Sequence, residues 1–267
     1  MDTKPKVGLI GAGVMGEALI SALVTYGINP DSITISEKRL DRVNELTGKY
    51  SIKSSELAEN VKNAQVLLLV VKPQDLAAVL DEVKTHINSE TLVITFAAGK
   101  SISFITNAIG QSNPVIRVMP NSPILLGAGM SAISISKNVT AEQRDFAMGF
   151  LGAAGKTLEV DESLQDAVTA TSGSGPAYFF AFVEAMVSGA MDLGLNEKDA
   201  TALTVQTIIG AATMLEQSGQ TAAVLRQNVT SPNGTTAAAL ASFTNDGLEQ
   251  LVGRAMKAAR DRAQELA

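Results

Sequence analysis

The chain has 267 residues, 46% of them hydrophobic, and a formal net charge of −6. That length supports one large or two modest domains with a sizeable core, and the acidic balance leaves no basic stripe for nucleic acid. With no cysteine, disulfides, thiolate nucleophiles and Cys-based metal sites are excluded, and the single histidine, His86, lies in a polar stretch with nothing catalytic near it, so it reads as a surface residue.

The N-terminus lacks the apolar core and small-residue cleavage site of a signal peptide, so a cytoplasmic protein is expected. Residues 7–10 form a short apolar run that ends at the first glycine of Gly11-Ala12-Gly13-Val14-Met15-Gly16, and residues 17–26 carry helical spacing through Leu19, Ile20, Leu23 and Val24. Strand, glycine turn and helix are the context a dinucleotide loop requires. Gly11 serves the tight turn, Gly13 the close approach of a pyrophosphate and Gly16 the packing of helix on strand. A second strand, 33–36, precedes Glu37, Lys38 and Arg39. Glu37 falls about 20 residues after the motif, where a carboxylate grips the ribose hydroxyls of NAD. Lys38 and Arg39 point to the 2′-phosphate of NADP instead, so the residues alone leave the choice open.

Residues 41–50 read as a helix. The continuous apolar run 66–71 is expected of a parallel strand covered on both faces, and it stops at Lys72-Pro73. Then follow a helix at 76–83, a strand at 91–96 closing on Ala97-Ala98-Gly99, where small residues let a flat ring lie against the backbone, and a helix at 102–109. Residues 114–123 contain a strand and a proline-flanked loop; strands at 130–135 and 156–160, with a helix at 141–153 between them, complete the series. Alternation of strand and helix predicts a doubly wound sheet over residues 1–161.

After Asp161 no strand is expected. Helices are predicted at 163–171, 176–193, 197–217, 222–229, 235–243 and 248–266, with Pro176 at a first helical position and Asn196 as an N-cap over Asp199. The predicted class is thus an α/β Rossmann-type dinucleotide-binding domain followed by an all-α dimerisation domain, residues 162–267. Segment 176–191 has one charged residue, Glu184, and 200–215 has none. Segment 176–195 is apolar enough to raise a membrane span, but Glu184 and Ser188 near its centre and Asp192 near its end speak for a buried helix. Faces this apolar call for a second subunit. Near the end, Ser231-Pro232-Asn233-Gly234-Thr235-Thr236 joins chain breakers, hydroxyls and backbone N–H groups at the mouth of an Ala-rich helix, as a loop that docks a small anion would. Thr235 and Thr236 read equally well as N-cap residues.

A dinucleotide domain with an anion loop suggests hydride transfer to a small acid. Proton donors are scarce, and Lys72 would serve only at the cofactor end, so a substrate that brings its own proton, a protonated imine, fits best. The glycine motif, Val71-Lys72-Pro73, Ala97-Ala98-Gly99, the stretch from Arg117 through Met119, Pro120 and Asn121 to Pro123, the stretch from Ser172 through Gly175-Pro176 to Tyr178, and that from Val229 to Thr236 together resemble pyrroline-5-carboxylate reductases. The resemblance covers essentially the whole chain, and its last two motifs are specific to that family.

The resemblance implies reduction of 1-pyrroline-5-carboxylate to L-proline with NADPH, NADH being possible, and no metal. It implies that Gly11, Ala12, Gly13, Val14, Met15 and Gly16 carry the pyrophosphate, Ser36 and Lys38 the 2′-phosphate, and Val71, Lys72 and Pro73 the adenosine side. Ala97, Ala98 and Gly99 with Met119, Pro120 and Asn121 would flank the nicotinamide, and Asn228 would touch the cofactor. Glu162, Gly234, Thr235 and Thr236 would hold the substrate, with Thr236 bonding the ring nitrogen. It also implies a homodimer interlocked through the helical domain, with rings of dimers common, and no nucleic-acid or membrane partner. Two positions depart from the family pattern: Asn233 stands where a second glycine is usual, and Thr244 where an acid or amide ends the signature. Alternatives are another cyclic-imine reductase, a β-hydroxyacid dehydrogenase, whose lysine is missing from 176–193, or a cofactor-binding interaction protein without turnover.

Overall fold

The apolar runs at 7–10, 66–69 and 92–95 become strands because each is covered on both faces. The computed structural model describes residues 4–110 and 112–265, and the chain divides into two compact units, Met1–Ser174 with Ala259–Ala267, and Gly175–Ala258.

The first unit is built on one eight-stranded sheet. Its strands are β1 (Val7–Ile10), β2 (Ile33–Ser36), β3 (Lys53–Ser54), β4 (Val66–Leu69), β5 (Leu92–Thr95), β6 (Val115–Met119), β7 (Gly129–Ile135) and β8 (Gly155–Glu159). They lie in the order β3-β2-β1-β4-β5-β6-β7-β8. All neighbours are parallel except β6 and β7. The order reverses between β1 and β4, so the crevice at their carboxyl ends is the topological switch point where such sheets bind ligands.

Alternate residues of the central strands serve opposite layers. Leu68 packs with Leu9, Ile94 and Ile116 beneath α1 (Val14–Tyr26) and α6 (Ala141–Gly152). Leu67 and Leu69 pack with Leu76 and Leu80 of α4 (Leu76–Val83) and Ile105 of α5 (Ile102–Ile109). Tyr26, Phe146 and Phe150 close the first layer, with ring centroids 6.0 and 5.4 Å apart in succession. In sequence, α2 (Leu40–Tyr50) and α3 (Leu57–Asn63) fall between α1 and α4. Neither β3 nor α3 was expected from the sequence. The strand is two residues long and exposed, and α3 buries only Asn60 and Val61, so neither carries an apolar period.

The helix expected at 163–171 is a composite. A 3₁₀ turn at Glu162–Leu164 leads into α7 (Gln165–Val168) and then a π turn, Thr169–Gly173. This segment stays with the first unit through buried polar bonds. Gln165 donates to the Ser134 hydroxyl of β7 (2.9 Å), and Arg117 of β6 pairs with Glu162 and Asp166 (3.3 and 3.6 Å).

The second unit is helical: α8 (Gly175–Asp192), α9 (Glu197–Gln217), α10 (Ala222–Asn228), α11 (Thr235–Asn245) and most of α12 (Leu248–Glu265), whose last expected residue, Leu266, lies outside the described residues. Pro176 is the second residue of α8 rather than the first, since Gly175 already takes helical form. The Asn196 cap forms as expected, its side-chain oxygen accepting from Asp199 N–H (3.0 Å). Among the described residues no helix is long and apolar enough to cross a membrane.

This unit exposes its apolar side chains: Phe179 is 61% and Phe180 63% accessible on α8, Ile209 52% on α9. Ala200 and Thr204 are the only described residues of α9 that are buried. A surface of this kind is stable in water only when another covers it. Light scattering is therefore expected to give at least twice the mass of one chain, and Phe180→Asp to move the distribution toward monomer; a wild-type monomer at micromolar concentration would refute the argument.

Candidate active site

The glycine loop between β1 and α1 has the shape its sequence suggests. Gly11 sits at φ +87°, and a Cβ there would lie 2.9 Å from the Val70 carbonyl oxygen and 3.0 Å from Val71. A Cβ on Gly16 would lie 2.6 Å from the Gly11 carbonyl oxygen, so α1 could not approach β1. Around Gly13 nothing lies within 4 Å of such a Cβ, leaving that side open to a ligand. Gly13 is the N-cap of α1 and gives it no side-chain cap, so the N–H groups of the first turn, Val14 and Met15 among them, are available to an anion. These features fit a dinucleotide pyrophosphate.

The loop's carbonyls are held from behind. Arg42 of α2 donates from Nε to the Ala12 oxygen (3.0 Å) and from Nη2 to the Gly13 oxygen (3.4 Å), and it pairs with Glu17 and with Glu45 (2.7 Å). Glu17 also accepts from Lys49 (2.7 Å) and Tyr50 (3.2 Å). The Lys49 ammonium first, and the Arg42 guanidinium next, hold the Glu17 carboxyl down at about 2.

Other expected residues lie on the same carboxyl edge. At the end of β2, the Ser36 hydroxyl donates to the Ser55 carbonyl (3.0 Å) and accepts from Asn60 Nδ2 (2.9 Å), while Lys38 is exposed. Glu37 accepts from Ala12 N–H (2.9 Å) and Arg39 N–H (3.1 Å). Val71, Lys72 and Pro73 follow β4, with Val71 beside Gly11. Ala97, Ala98 and Gly99, the last at φ +73°, follow β5. Met119 ends β6, and Pro120 beyond it is buried. Asn121 ties its loop in two directions, accepting from Met130 N–H (2.8 Å) and donating to the Ser172 hydroxyl of the π turn (3.3 Å). Glu162 belongs to this unit too. Its Oε1 accepts from Ile102 N–H (2.7 Å) at the start of α5 and from Arg117 (3.3 Å), so Oε2 is the oxygen left for a ligand. A cleft lined by Ser134, Arg144, Glu159 and Glu162 contains none of the glycine-loop residues, whereas sheets of this strand order bind ligands over the carboxyl ends at the switch point.

In the helical unit, Gly234 N–H donates to the Ser231 carbonyl (3.0 Å), closing a turn with Pro232 second and Asn233 third. Asn233 adopts φ +58°, the left-handed value a type II turn needs at that position. Gly234 is the N-cap of α11 and supplies no side-chain cap; a Cβ there would collide with the Ser231 hydroxyl. Thr235 and Thr236 open the helix, so the loop presents free N–H groups and two hydroxyls. Asn228 ends α10, its amide donating to Gln220 (3.3 Å). Thr244 bonds back within α11 to the Leu240 carbonyl (2.8 Å).

Comparison with known proteins decides the family. The model for "Pyrroline-5-carboxylate reductase dimerisation" matches residues 162–266, and that for "NADP oxidoreductase coenzyme F420-dependent" matches residues 6–99. A pyrroline-5-carboxylate reductase of Pseudomonas aeruginosa is 42% identical over 265 residues, 98% of this chain and 97% of the relative. The chain belongs to the pyrroline-5-carboxylate reductase family. A reductase of Mycobacterium tuberculosis is 37% identical over 98% of this chain and 96% of its own length. Among solved structures, the reductase from Coxiella burnetii superposes with a TM-score of 0.92 at 32% identity, covering 98% of both chains. The Plasmodium falciparum protein, solved with NADP bound, gives 0.87 at 27% identity over 99% and 98%.

The reductase fold also holds polar residues that sequence reading passed over: Arg42 behind the glycine loop, Asn60 beneath Ser36, and Arg117 against Glu162. Arg42 and Asn60 sit in helices whose polar character suggests solvent, and only the fold reveals that they point inward.

Two outcomes follow. Because the Glu17 carboxyl titrates near 2 in the fold against an ordinary 4.5, its contribution is present above about pH 4.5 and fades as pH falls toward 2. Glu17→Gln should thus lower stability by about 1 kcal/mol at pH 7, after allowance for solvent screening, with the gap closing in acid; melts across pH test this, and a gap constant to pH 2 would exclude the network. Asn233→Gly should leave the melting temperature within about 1 kcal/mol equivalent of wild type, whereas Asn233→Val should cost about 1–3 kcal/mol, because a β-branched residue resists left-handed φ.

Proposed function

We propose that the chain reduces 1-pyrroline-5-carboxylate to L-proline using NAD(P)H. The observation that carries this reading is the start of α11, where Gly234, Thr235 and Thr236 offer backbone N–H groups without a competing side-chain cap, in a chain whose glycine loop suits a pyrophosphate. The bound nicotinamide supplies the hydride. Everything else asked of the protein is holding and orienting.

A pyrrolinium carboxylate needs little more. Its carboxylate is an anion matched to the free N–H groups at the helix start, and the Thr235 and Thr236 hydroxyls add donors. The Thr236 hydroxyl accepts from the ring N–H, which fixes the face of the ring. As the imine carbon gains hydride, the π pair settles on a nitrogen that already bears its proton, so no protein acid is required. This agrees with His86 being exposed after α4. On the nucleotide side we assign Gly11 to Gly16 to the pyrophosphate, Val71, Lys72 and Pro73 to the adenosine, and Ala97, Ala98, Gly99, Met119, Pro120 and Asn121 to the nicotinamide. Asn228 we assign to the cofactor. Glu162 has only Oε2 for a substrate contact. The dimerisation match and the exposed α8 and α9 faces support a homodimer through residues 162–267; a ring of dimers is our extension of that surface. We take the cytoplasm as the site of action, where nicotinamide nucleotides circulate.

Steady-state oxidation of NADPH and of NADH with 1-pyrroline-5-carboxylate tests the proposal. Thr236→Ala should reduce kcat/KM for the pyrroline by about 10–100-fold, more than Thr236→Ser, with the nucleotide KM much less affected. Robust turnover by Thr236→Ala would remove Thr236 from the mechanism, and no oxidation of either nucleotide would remove the reaction.

A further inference from the structure

The Asn60 amide is 2% exposed, and its Nδ2 faces three oxygens: Leu9 O at 3.4 Å, Thr34 O at 3.2 Å and Ser36 Oγ at 2.9 Å. Two of the three are carbonyls, which only accept, so the nitrogen is the end that must face them; turning the amide over would set Oδ1 against both. The position is specific. Asn60 Oδ1 has no partner among the described residues, and a Cβ on Gly8 would lie 2.5 Å from it, so β1 keeps a glycine there to admit the amide.

That orientation dictates what Ser36 can offer. An amide NH₂ only donates, so Ser36 Oγ is an acceptor toward Asn60, and its single proton goes to the Ser55 carbonyl at 3.0 Å. What Ser36 keeps for a ligand is a lone pair. Beside it, the Glu37 carboxylate, 13% exposed, is held in place by Ala12 N–H and Arg39 N–H and is likewise an acceptor. Of the neighbouring cations, Lys38 is exposed and the Arg39 side chain is 58% exposed, so neither is a fixed part of the strand end. Arg39 leans on Glu37 at 3.6 Å, and Arg42 is bonded to the loop carbonyls, Glu17 and Glu45.

We infer that the end of β2 is wired as a hydrogen-bond acceptor through the positioning residue Asn60, and that this chain therefore favours NADH, whose ribose 2′-hydroxyl is a donor, over NADPH, whose 2′-phosphate is an anion with acceptor oxygens. The inference rests on the nucleotide reading given above, and it departs from the NADPH that resemblance alone implies. A 2′-hydroxyl can donate to Ser36 or Glu37 with no rearrangement. A 2′-phosphate meets a lone pair and a carboxylate fixed at the strand end, with only the exposed Lys38 and Arg39 side chains to offset them, and Ser36 can donate to it only by giving up Ser55.

Calorimetric titration of the full enzyme with NADH and with NADPH reads the preference without turnover, and the ratio of kcat/KM values for the two nucleotides reads it again. NADH should bind more tightly. Ser36→Ala should weaken NADH more than NADPH, lowering the preference by about three- to tenfold, the worth of one hydrogen bond. Asn60→Ala, which frees the Ser36 hydroxyl to rotate, and Glu37→Gln, which removes the charge, should each move the ratio toward NADPH. Ser36→Ala, a truncation at a half-buried strand end, keeps the test open where Asn60→Ala fails to fold. Tighter NADPH binding by the wild type, or a Ser36→Ala loss falling mainly on NADPH, would overturn the inference. Binding without pyrroline turnover would overturn the proposed reaction alone, while failure of both nucleotides to bind would overturn both.

Discussion

The guanidinium of Arg42, drawn under the glycine loop, is the constraint on which the nucleotide side of the molecule depends. A loop that binds phosphate must show its N–H groups outward, and its carbonyls then need partners of their own. Arg42 supplies them to Ala12 and Gly13. A guanidinium this far from water is tolerable only when paired and hydrogen-bonded, which Glu17 and Glu45 provide. Glu17 presents the opposite problem. It stands in the first turn of α1, where the helix dipole favours a carboxylate but an incoming pyrophosphate does not. With Arg42 and Lys49 both bonded to it, the carboxylate is neutralised where it stands, and the helix start keeps its attraction for anions.

The helical unit solves a similar problem with fewer charges. No side chain caps α11, because Gly234 cannot, and the turn that brings it there depends on Pro232 and on the left-handed Asn233. Where the family usually has glycine, asparagine meets the same backbone demand, being among the residues that tolerate this region. Its side-chain amide is exposed at the tip of the loop. Thr244, the other departure, bonds back along α11 and so is satisfied within the helix.

How much of this was legible follows from what hydrophobic pattern reports. Val66–Leu69 and Leu92–Thr95 are buried on both faces and announce themselves as apolar runs; Glu197–Gln217 announces itself through the Asn196 cap. The same signal is blind to polar groups that fold inward. Asn60 sits in a helix with no apolar period, so nothing in the sequence connects it to Ser36, 24 positions away. Arg117 interrupts an apolar strand without revealing that its partners are Glu162 and Asp166, which enter from a later turn. Glu162 illustrates the reverse. The resemblance implies a substrate contact for it, whereas the fold shows a structural one, its Oε1 accepting from Ile102 N–H and Arg117 while Oε2 is left over.

The π turn at Thr169–Gly173 shows why pattern also fails at element boundaries. Ser172-Gly173-Ser174-Gly175 has the composition of a hinge, and its first two residues make specific contacts within the first unit. The Ser172 hydroxyl accepts from Asn121, and Gly173 lies so close to the Met119 side chain that a Cβ there would have to push the terminal methyl aside. A π turn inserts a residue into helical register, and here it brings a glycine against Met119 and a hydroxyl to Asn121 at once. The loop assigned to the nicotinamide is thereby braced from two sides, by Met130 of β7 and by Ser172. At Ser172 and Gly173 the small residues serve contact: their sequence signature is that of flexibility, and their physical role is a hydrogen bond and a close approach.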